Sequence, residues 1–369
     1  MIFVTAIAFI IIFSVLILVH EWGHFYFARK AGIKVEEFGI GLPPRAKKLF
    51  KDKKGTIYSL NWIPFGGYVR LYGEDSSDPK VLKAKDSFAS KSILRRSSVI
   101  VAGVFMNFIL AWLLITIGMI IGMKPFLVTE DDLTRATEAG LVEIQEVLYI
   151  HEIQEGSPLS ETDVQPGDMI VEINGQAVPK AEDLSQTIGP EDRITLTILR
   201  EDRQGQILLI ADEEGKMGAA LSDAPYLLYK KDLKYPFYQA PLEAAKEVGR
   251  LSYLTLRMLG NVISSLVVKL AVPEGVAGPV GIARMTHYFT QQGVMALIQF
   301  TALLSISLGV INIMPFPALD GGRFLFIIFE IILRRRPSAR WESMIHAVGF
   351  ALLMLLILVI TWNDIITLF

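Results

Sequence analysis

The stretch His20-Glu21-Trp22-Gly23-His24 ends an apolar run, residues 2–19, in which no residue is charged. This run is long enough to cross most of a bilayer as a helix, which places the motif at membrane depth. Residues four apart on a helix lie one turn above each other, so His20 and His24 can present their imidazoles to one metal ion. Glu21 lies beside them and is free to act as a base. Ionisable groups are costly in hydrocarbon and usually mark function there, so the setting favours a zinc site over a chance match.

The composition indicates a membrane protein that also carries a soluble part. The 369 residues are 52% hydrophobic and 20% charged, with a mean hydropathy of +0.43. This is too apolar for an ordinary soluble enzyme and too charged for a pure helical bundle. The net charge of −2 gives no indication of nucleic-acid binding. The chain has no cysteine, so disulfides and thiolate metal sites are excluded, and zinc must be held by His, Asp or Glu.

The first apolar run is predicted to be a retained span. It lacks the positively charged n-region and the A-x-A cleavage site of a signal peptide. Further spans are expected at about 97–122, in the second half of 285–319 and at about 343–362, which makes about four in all. Segment 241–284 contains no uncharged piece long enough to cross, and we expect it to lie on the outer surface as an amphipathic segment.

The loop after the first span is strongly basic. Residues 25–97 hold 16 Lys and Arg against 7 Asp and Glu, an excess typical of the cytoplasmic side. Within this loop 56–62 predicts a strand, and 63–71 is expected to turn it back through Gly66 and Gly67 as a membrane-associated hairpin. Two interpretations stay open: a plain surface ribbon, or a strand edge that pairs with an extended substrate.

Residues 123–240 have the opposite character, with 10 Lys and Arg against 23 Asp and Glu. They predict a soluble domain across the membrane from the basic loop. The turns G-S-P, P-G-D and N-G, in that order between short apolar runs, resemble a PDZ domain, for which capture of a peptide or chain end is implied. A plain spacer domain is the alternative. The expected elements are strands at 147–150, 169–173 and 194–200 and a helix at about 182–188.

A third metal ligand is predicted near the end of the third span. Pro315 and Pro317 cannot continue a helix normally, so the backbone is expected to open where Asp320 lies. A catalytic zinc needs three protein ligands, and H-E-x-x-H supplies two. A carboxylate in an unwound membrane segment otherwise has no partner, so Asp320 is the predicted third ligand. Asn312 is predicted to donate a hydrogen bond to a developing oxyanion.

The remaining histidines are weaker candidates for the metal. They are expected to be surface or packing residues: His151, His287 and His346. Segments 25–97 and 321–342 are predicted to be cytoplasmic, so both chemical motifs face the cytoplasmic half.

Taken together, the motifs resemble the site-2 protease family of intramembrane zinc metalloproteases, and within it the bacterial proteases that regulate sigma-E. The motifs that carry this resemblance are H-E-W-G-H at 20–24, I-P-F-G-G-Y-V at 63–69, A-G-x-x-x-N at 102–107, the PDZ-like order of turns in 123–240, and N-x-x-P-x-P-x-L-D-G-G at 312–322. The resemblance implies that His20, His24 and Asp320 are the zinc ligands and Glu21 the catalytic base. It places Asn312 at the active site and Asn107 near the substrate. Two departures are Val104, where a proline is common, and a single PDZ domain instead of two.

The fold expected is a polytopic α-helical membrane protein with a β-hairpin and an inserted α+β PDZ domain. Its parts are two spans with the zinc motif and hairpin (1–122), the outer PDZ region (123–240), the surface segment (241–284) and the last two spans with the third ligand (285–369). The family implies an endopeptidase of the bacterial inner membrane that cuts transmembrane segments pre-trimmed by another protease, such as anti-sigma factors or remnant signal peptides. The alternatives are an inactive membrane PDZ scaffold, which complete ligands and Glu21 argue against, and a metal transporter, which needs ionisable residues spread along the spans.

Overall fold

The computed structural model describes residues 2–74, 76, 78–178, 180–184, 188–200, 203–268, 276–335 and 338–366. It forms two compact units: Met1–Met123 together with Lys234–Phe369, and Lys124–Leu233.

The first unit is mainly helical. In the part of the chain described, its helices are α1 Ile2–Lys30, α2 Pro79–Lys83, α3 Ile93–Ile121, α5 Ala240–Val268, α6 Pro279–Gln291, α7 Val294–Ile313, α8 Asp320–Leu333 and α9 Ala339–Ile366. Four of them, α1, α3, α7 and α9, are long and apolar enough to cross a membrane. These four lie where the sequence predicts spans.

The helices α1 and α3 approach each other closely because glycine lies at their crossing. A Cβ built on Gly23 would lie 2.5 Å from the carbonyl oxygen of Ala102. Two buried apolar clusters support this pair: Ile12, Leu16 and Phe300 on one side of the histidine motif, and Ala28, Val99 and Ile327 among others on the other. The H-E-x-x-H turn therefore lies between two packed layers that fix the position of its helix.

The basic loop forms a bent ribbon of β1 Val35–Lys51 and β2 Ile57–Leu71. Residues 37–40 pair with 67–70 and also with 57–60, so both arms of β2 pair with β1. Residues 57–60 run parallel to 37–40, whereas 67–70 run antiparallel to them, so β2 reverses its direction between residues 60 and 67. The prediction that 63–71 turns the chain back is therefore confirmed, although Gly66 and Gly67 both lie within the bounds of β2. The two glycines also permit close packing on α1: a Cβ on Gly67 would lie 2.7 Å from Leu18 Cδ2. The turn between β1 and β2 lies at 52–56.

A buried ion-pair cluster joins the arms of this ribbon. Glu37 is 1% exposed and accepts hydrogen bonds from Arg45 and, at 3.2 Å, from Arg70 Nη2. Burial alone would raise the pKa of Glu37, but the hydrogen bond from Arg45, with the nearby hydroxyls of Tyr68 and Ser59, lowers that pKa to about 2. The carboxylate therefore stays charged in the ribbon at neutral pH.

The second unit is built on an antiparallel sheet. After helix α4 Glu130–Glu138 come β3 Val142–Ile153, β4 Met169–Ile173, β5 Gln176–Ala177, β6 Arg193–Arg200, β7 Arg203–Ile210 and β8 Ala219–Tyr229. The strand order is β7-β6-β4-β3-β8, with β5 beside β4. The core includes Leu148, Ile170 and Leu196, each fully buried. The three predicted strands are present. Of the predicted helix at 182–188, residues 185–187 lie outside the described residues, and 181–183 form a 3-10 turn.

Two features of the last part differ from expectation. The predicted boundary at 284, between the surface segment and the last two spans, falls inside α6. This helix begins at Pro279, where a proline is tolerated because the first turn of a helix does not need its backbone N–H. Helix α8, which begins at Asp320 itself, was not predicted from the sequence.

Candidate metal centre

Two histidines of α1 face one point. His20 Nε2 and His24 Nε2 are 3.1 Å apart, and both residues are buried. His24 Nδ1 lies 2.8 Å from the carbonyl oxygen of Val99, so Nδ1 donates there and Nε2 keeps a lone pair. This hydrogen bond fixes the tautomer that a metal ligand requires.

Asp320 completes the group from the other end of the sequence. Helix α7 ends at Ile313 and α8 begins at Asp320, so the proline-containing segment between them is not helical, as predicted. Asp320 Oδ2 lies 3.1 Å from His20 Nε2 and 3.2 Å from His24 Nε2. Glycine makes this turn possible: a Cβ on Gly321 would lie 2.2 Å from the carbonyl oxygens of both Ile313 and Met314.

The three ligand atoms fit a zinc ion. Tetrahedral zinc with ligands at 2.0–2.1 Å separates its ligand atoms by about 3.3 Å, close to the three distances observed. Among the described residues, Asp320 Oδ2 is a buried oxygen without a hydrogen-bond partner. Two imidazole lone pairs and a carboxylate oxygen that converge in this way repel one another unless a cation lies between them.

Glu21 and Asn312 line the same small cavity. The cavity is about 240 Å³ and its wall includes His20, Glu21, Asn312 and Asp320. Glu21 Oε2 accepts a hydrogen bond of 2.9 Å from the backbone N–H of Val69. The ribbon segment 63–71 therefore touches the predicted base directly, and this contact orients one of its carboxylate oxygens.

The geometry agrees with the comparisons. The family model described as Peptidase family M50 matches residues 8–356. The chain belongs to peptidase family M50. Among similar proteins, this M50 peptidase is 30% identical to the zinc metalloprotease RasP of Shouchella clausii, over 99% of both chains. It is also 30% identical to the regulator of sigma-W protease RasP of Bacillus subtilis, over 99% of both chains, and 32% identical to a putative zinc metalloprotease of Clostridium perfringens, over 96% of both.

These matches make the chain a zinc metalloprotease of the site-2 type. A solved PDZ domain of an SdrC-like protein from Listeria innocua covers 20% of the M50 peptidase chain, at 18% identity and a TM-score of 0.19. A likeness at this level does not assign a fold, so the PDZ identity of the second unit stays a prediction.

Asn107 of the M50 peptidase lies at the histidines. Its side-chain nitrogen is 3.2 Å from His20 Nδ1, and its Oδ1 is buried without a partner in the described structure. Turning the amide by 180° would let His20 Nδ1 donate to Oδ1 and leave His20 Nε2 free for the metal. Ser305 Oγ donates to the backbone carbonyl of Asn107 at 2.8 Å. The contact seen is thus with a predicted ligand, while the predicted contact of Asn107 with substrate stays a prediction.

Gly103 has a role that sequence reasoning missed. A Cβ at this position would lie 2.3 Å from His24 Nε2 and 2.8 Å from His20 Cε1. The sequence alone did not reveal this contact, because the distance from Gly103 to the histidines depends on how α1 and α3 cross. An A-G-x-x-x-N pattern in a second span was the one available signal.

The other histidines are separate from the metal centre. His151 Nε2 lies 2.7 Å from Ser222 Oγ in the second unit, and His287 Nδ1 lies 2.7 Å from Thr5 Oγ1. His346 is different, since its Nδ1 accepts the backbone N–H of Ala318 at 2.9 Å, two residues before Asp320. The expectation that His346 is only a surface or packing residue is therefore incomplete.

Proposed function

We propose that this zinc metalloprotease cleaves peptide bonds within transmembrane segments of other membrane proteins. One observation carries the proposal: His20 and His24, on a helix long and apolar enough to cross a membrane, meet Asp320, which follows a second such helix, α7, after a non-helical segment. A ligand set in that position serves substrates that are themselves in the membrane, because a soluble substrate has no access to it.

The proposed roles follow from the cavity. His20, His24 and Asp320 would hold zinc, which when bound supplies Lewis acidity and lowers the pKa of a water molecule to about 7. Glu21, oriented by the Val69 N–H, accepts the proton of the attacking water and passes it to the leaving amine. Asn312 lines the cavity and donates a hydrogen bond to the carbonyl oxygen as negative charge develops there.

The substrate has to unwind before it reacts. A helix satisfies its peptide groups by i to i−4 hydrogen bonds, so its carbonyls are not available in a packed spanning helix. Segment 63–71 pairs with β1 on one side, and the Val69 N–H points away from β1 toward Glu21. We infer that the edge around Gly66 and Gly67 binds the unwound substrate as an added strand beside the cavity.

The orientation and the partners complete the proposal. The basic loop lies in the cytoplasm and the acidic unit outside it, in a bacterial inner membrane. One relative bears the name regulator of sigma-W protease. We therefore propose anti-sigma factors, with remnant signal peptides as a second class, as substrates that an earlier protease has shortened. The acidic unit, if PDZ-like, reads or excludes the outer part of these substrates.

The test is cleavage in liposomes of a labelled single-span substrate. The substrate series keeps its length and places Gly-Pro, wild-type residues or a run of Leu around the scissile bond. The unwinding step predicts the fastest cut with Gly-Pro and the slowest with Leu, and Glu21→Gln should cut none of them. Cleavage of water-soluble peptides by the wild type with no cleavage in the bilayer would contradict the proposal.

A further inference from the structure

We propose that His346 is a positioning residue that holds the Asp320 segment in place through its Nδ1 atom. This inference rests on the proposed role of Asp320 as a zinc ligand. His346 lies on α9, the last helix, 26 positions after Asp320. It does not belong to the predicted ligand set and does not line the cavity.

The contact is made at the least regular point of the segment. The backbone N–H of Ala318 donates to His346 Nδ1 over 2.9 Å. Ala318 has a φ of 78°, in the left-handed region that a residue with a Cβ rarely adopts. Such a conformation persists only when its surroundings hold it. The imidazole supplies that restraint two residues before the carboxylate that meets His20 and His24.

A second residue of α9 lies against the same segment. A Cβ on Gly349 would lie 2.3 Å from Pro317 Cβ and 2.7 Å from the carbonyl oxygen of Pro317. Residues three apart share one face of a helix, so His346 and Gly349 form a continuous seat for Pro317 and Ala318. On the other side the segment packs on α8, where a Cβ on Gly322 would lie 2.3 Å from the carbonyl oxygen of Phe316.

The far end of α9 is also fixed. Asp364 Oδ2 accepts the N–H of Gly281 at 2.8 Å, and Asp364 Oδ1 accepts that of Gly278 at 3.3 Å. Between these ends α9 is mostly exposed, because only 6% of the residues in its most apolar stretch are buried. The position of α9 thus depends on a few contacts toward its two ends. The contact toward its N-terminal end, made by His346, is with the segment that leads to Asp320.

The chemistry of the contact provides a sharp set of variants. Because Nδ1 accepts, the imidazole is the neutral tautomer that carries its proton on Nε2. Asparagine places its Oδ1 near the position of Nδ1 and can accept the same N–H. Phenylalanine keeps the ring shape and the packing on Phe326, whose ring centroid is 5.4 Å away, but accepts nothing. Glutamine has an acceptor placed one bond further out.

The primary measurement is zinc affinity of the detergent-purified full chain, by competition with a chromophoric chelator. His346→Asn should bind zinc within about threefold of the wild type, since the accepted hydrogen bond is kept. His346→Phe and His346→Gln should bind on the order of tenfold or more weakly, as for loss of groups that orient ligands. His287→Phe is the matched control, because it removes a histidine of α6 that contacts Thr5 and not this segment.

Equal affinities of the Asn, Gln and Phe variants would overturn the proposal, as would a loss in His346→Asn equal to that in His346→Phe. If His346→Phe does not fold, Gly349→Ala takes its place, because it displaces Pro317 without touching the imidazole. Wild-type affinity in a folded Gly349→Ala would then contradict the proposed seat. A wild-type protein that binds zinc but cuts no membrane substrate would contradict the proposed function and leave the zinc affinities of this series fully interpretable.

Discussion

Gly103 is the residue whose effect on the metal centre the structure defines most sharply. Any side chain there would overlap His24, since an added Cβ lies 2.3 Å from His24 Nε2 and 2.6 Å from His24 Cε1. We expect Gly103→Ala to displace His24 and to weaken zinc binding on the order of tenfold to a hundredfold. Equilibrium competition with a chelator measures it.

Gly118 supplies the control for this prediction on the same helix. A Cβ on Gly118 would meet the sulfur of Met123 at 2.7 Å, and that flexible side chain can move aside. Gly118→Ala should therefore bind zinc as the wild type does. Wild-type zinc affinity in a folded Gly103→Ala would show that the histidines have more room than their packing indicates.

Residue-level prediction succeeded where one short motif or one chemical conflict was enough. The spacing of His20 and His24 predicts their convergence, and Asp320 stood out as a carboxylate without a partner at membrane depth. Gly103 and His346 could not be found in this way. Their contacts with His24 and Ala318 join positions 79 and 28 apart in sequence and depend on helix crossings that no local pattern encodes.

At the scale of elements, the ribbon contains a carboxylate whose charge stabilises the fold. The pKa of Glu37 falls from 4.5 in the unfolded chain to about 2 in the ribbon. A depressed folded-state pKa contributes stability that is present above pH 4.5 and lost as the pH falls toward 2. The contact of Glu37 with Arg45 is the largest source of this contribution.

Glu37→Gln should accordingly lower the unfolding temperature at pH 7, and this effect should decrease progressively as the pH falls from 4.5 toward 2. The measurement is thermal unfolding of both proteins in the same detergent across this range, and the quantity compared is their difference at each pH. Glu214→Gln is a suitable control, because the Lys216–Glu214 pair is exposed and contributes little. A Glu37→Gln difference that does not shrink on acidification would assign the loss to packing instead of charge.

The ribbon shows how much of an element a sequence pattern can give. Gly66-Gly67 predicted a turn, since glycine pairs commonly mark turns, and the chain does reverse its direction between residues 60 and 67. The same lack of side chains also serves close contact with Ile17 and Leu18 of α1, which the pattern did not predict. The apolar spans were predictable because length and hydropathy alone determine them, whereas the course of the ribbon depends on which surface it packs against.

At the scale of the whole molecule, the acidic unit is a separable insertion. It covers Lys124–Leu233, and the first unit closes behind it, since the N–H of Tyr235 donates to the carbonyl of Met119 at 2.8 Å. A deletion that tests this unit has to remove all of it, because removal of residues 129–212 alone would take away β3 and leave its partner β8 unpaired. Replacement of 124–233 by a short Gly-Ser linker removes the complete unit.

This deletion tests the proposal that the unit excludes long substrates. Zinc content and cleavage of short single-span substrates should match the wild type, while substrates with a long outer domain become cleavable without earlier trimming. The rates on paired long and short substrates, with and without the unit, measure the effect. An equal slowing of both substrates would mean that the unit recruits substrate or supports the fold.

Metal analysis combined with a cleavage assay on purified variants separates the proposed zinc ligands, His20, His24 and Asp320, from Glu21, which acts on the proton. Ala at 20, 24 or 320 should lower the zinc content well below that of the wild type after dialysis. Glu21→Gln should keep the wild-type zinc content and lose cleavage, because its role is proton transfer and not metal binding. Full zinc occupancy in Asp320→Ala, or zinc loss in Glu21→Gln, would contradict these residue roles.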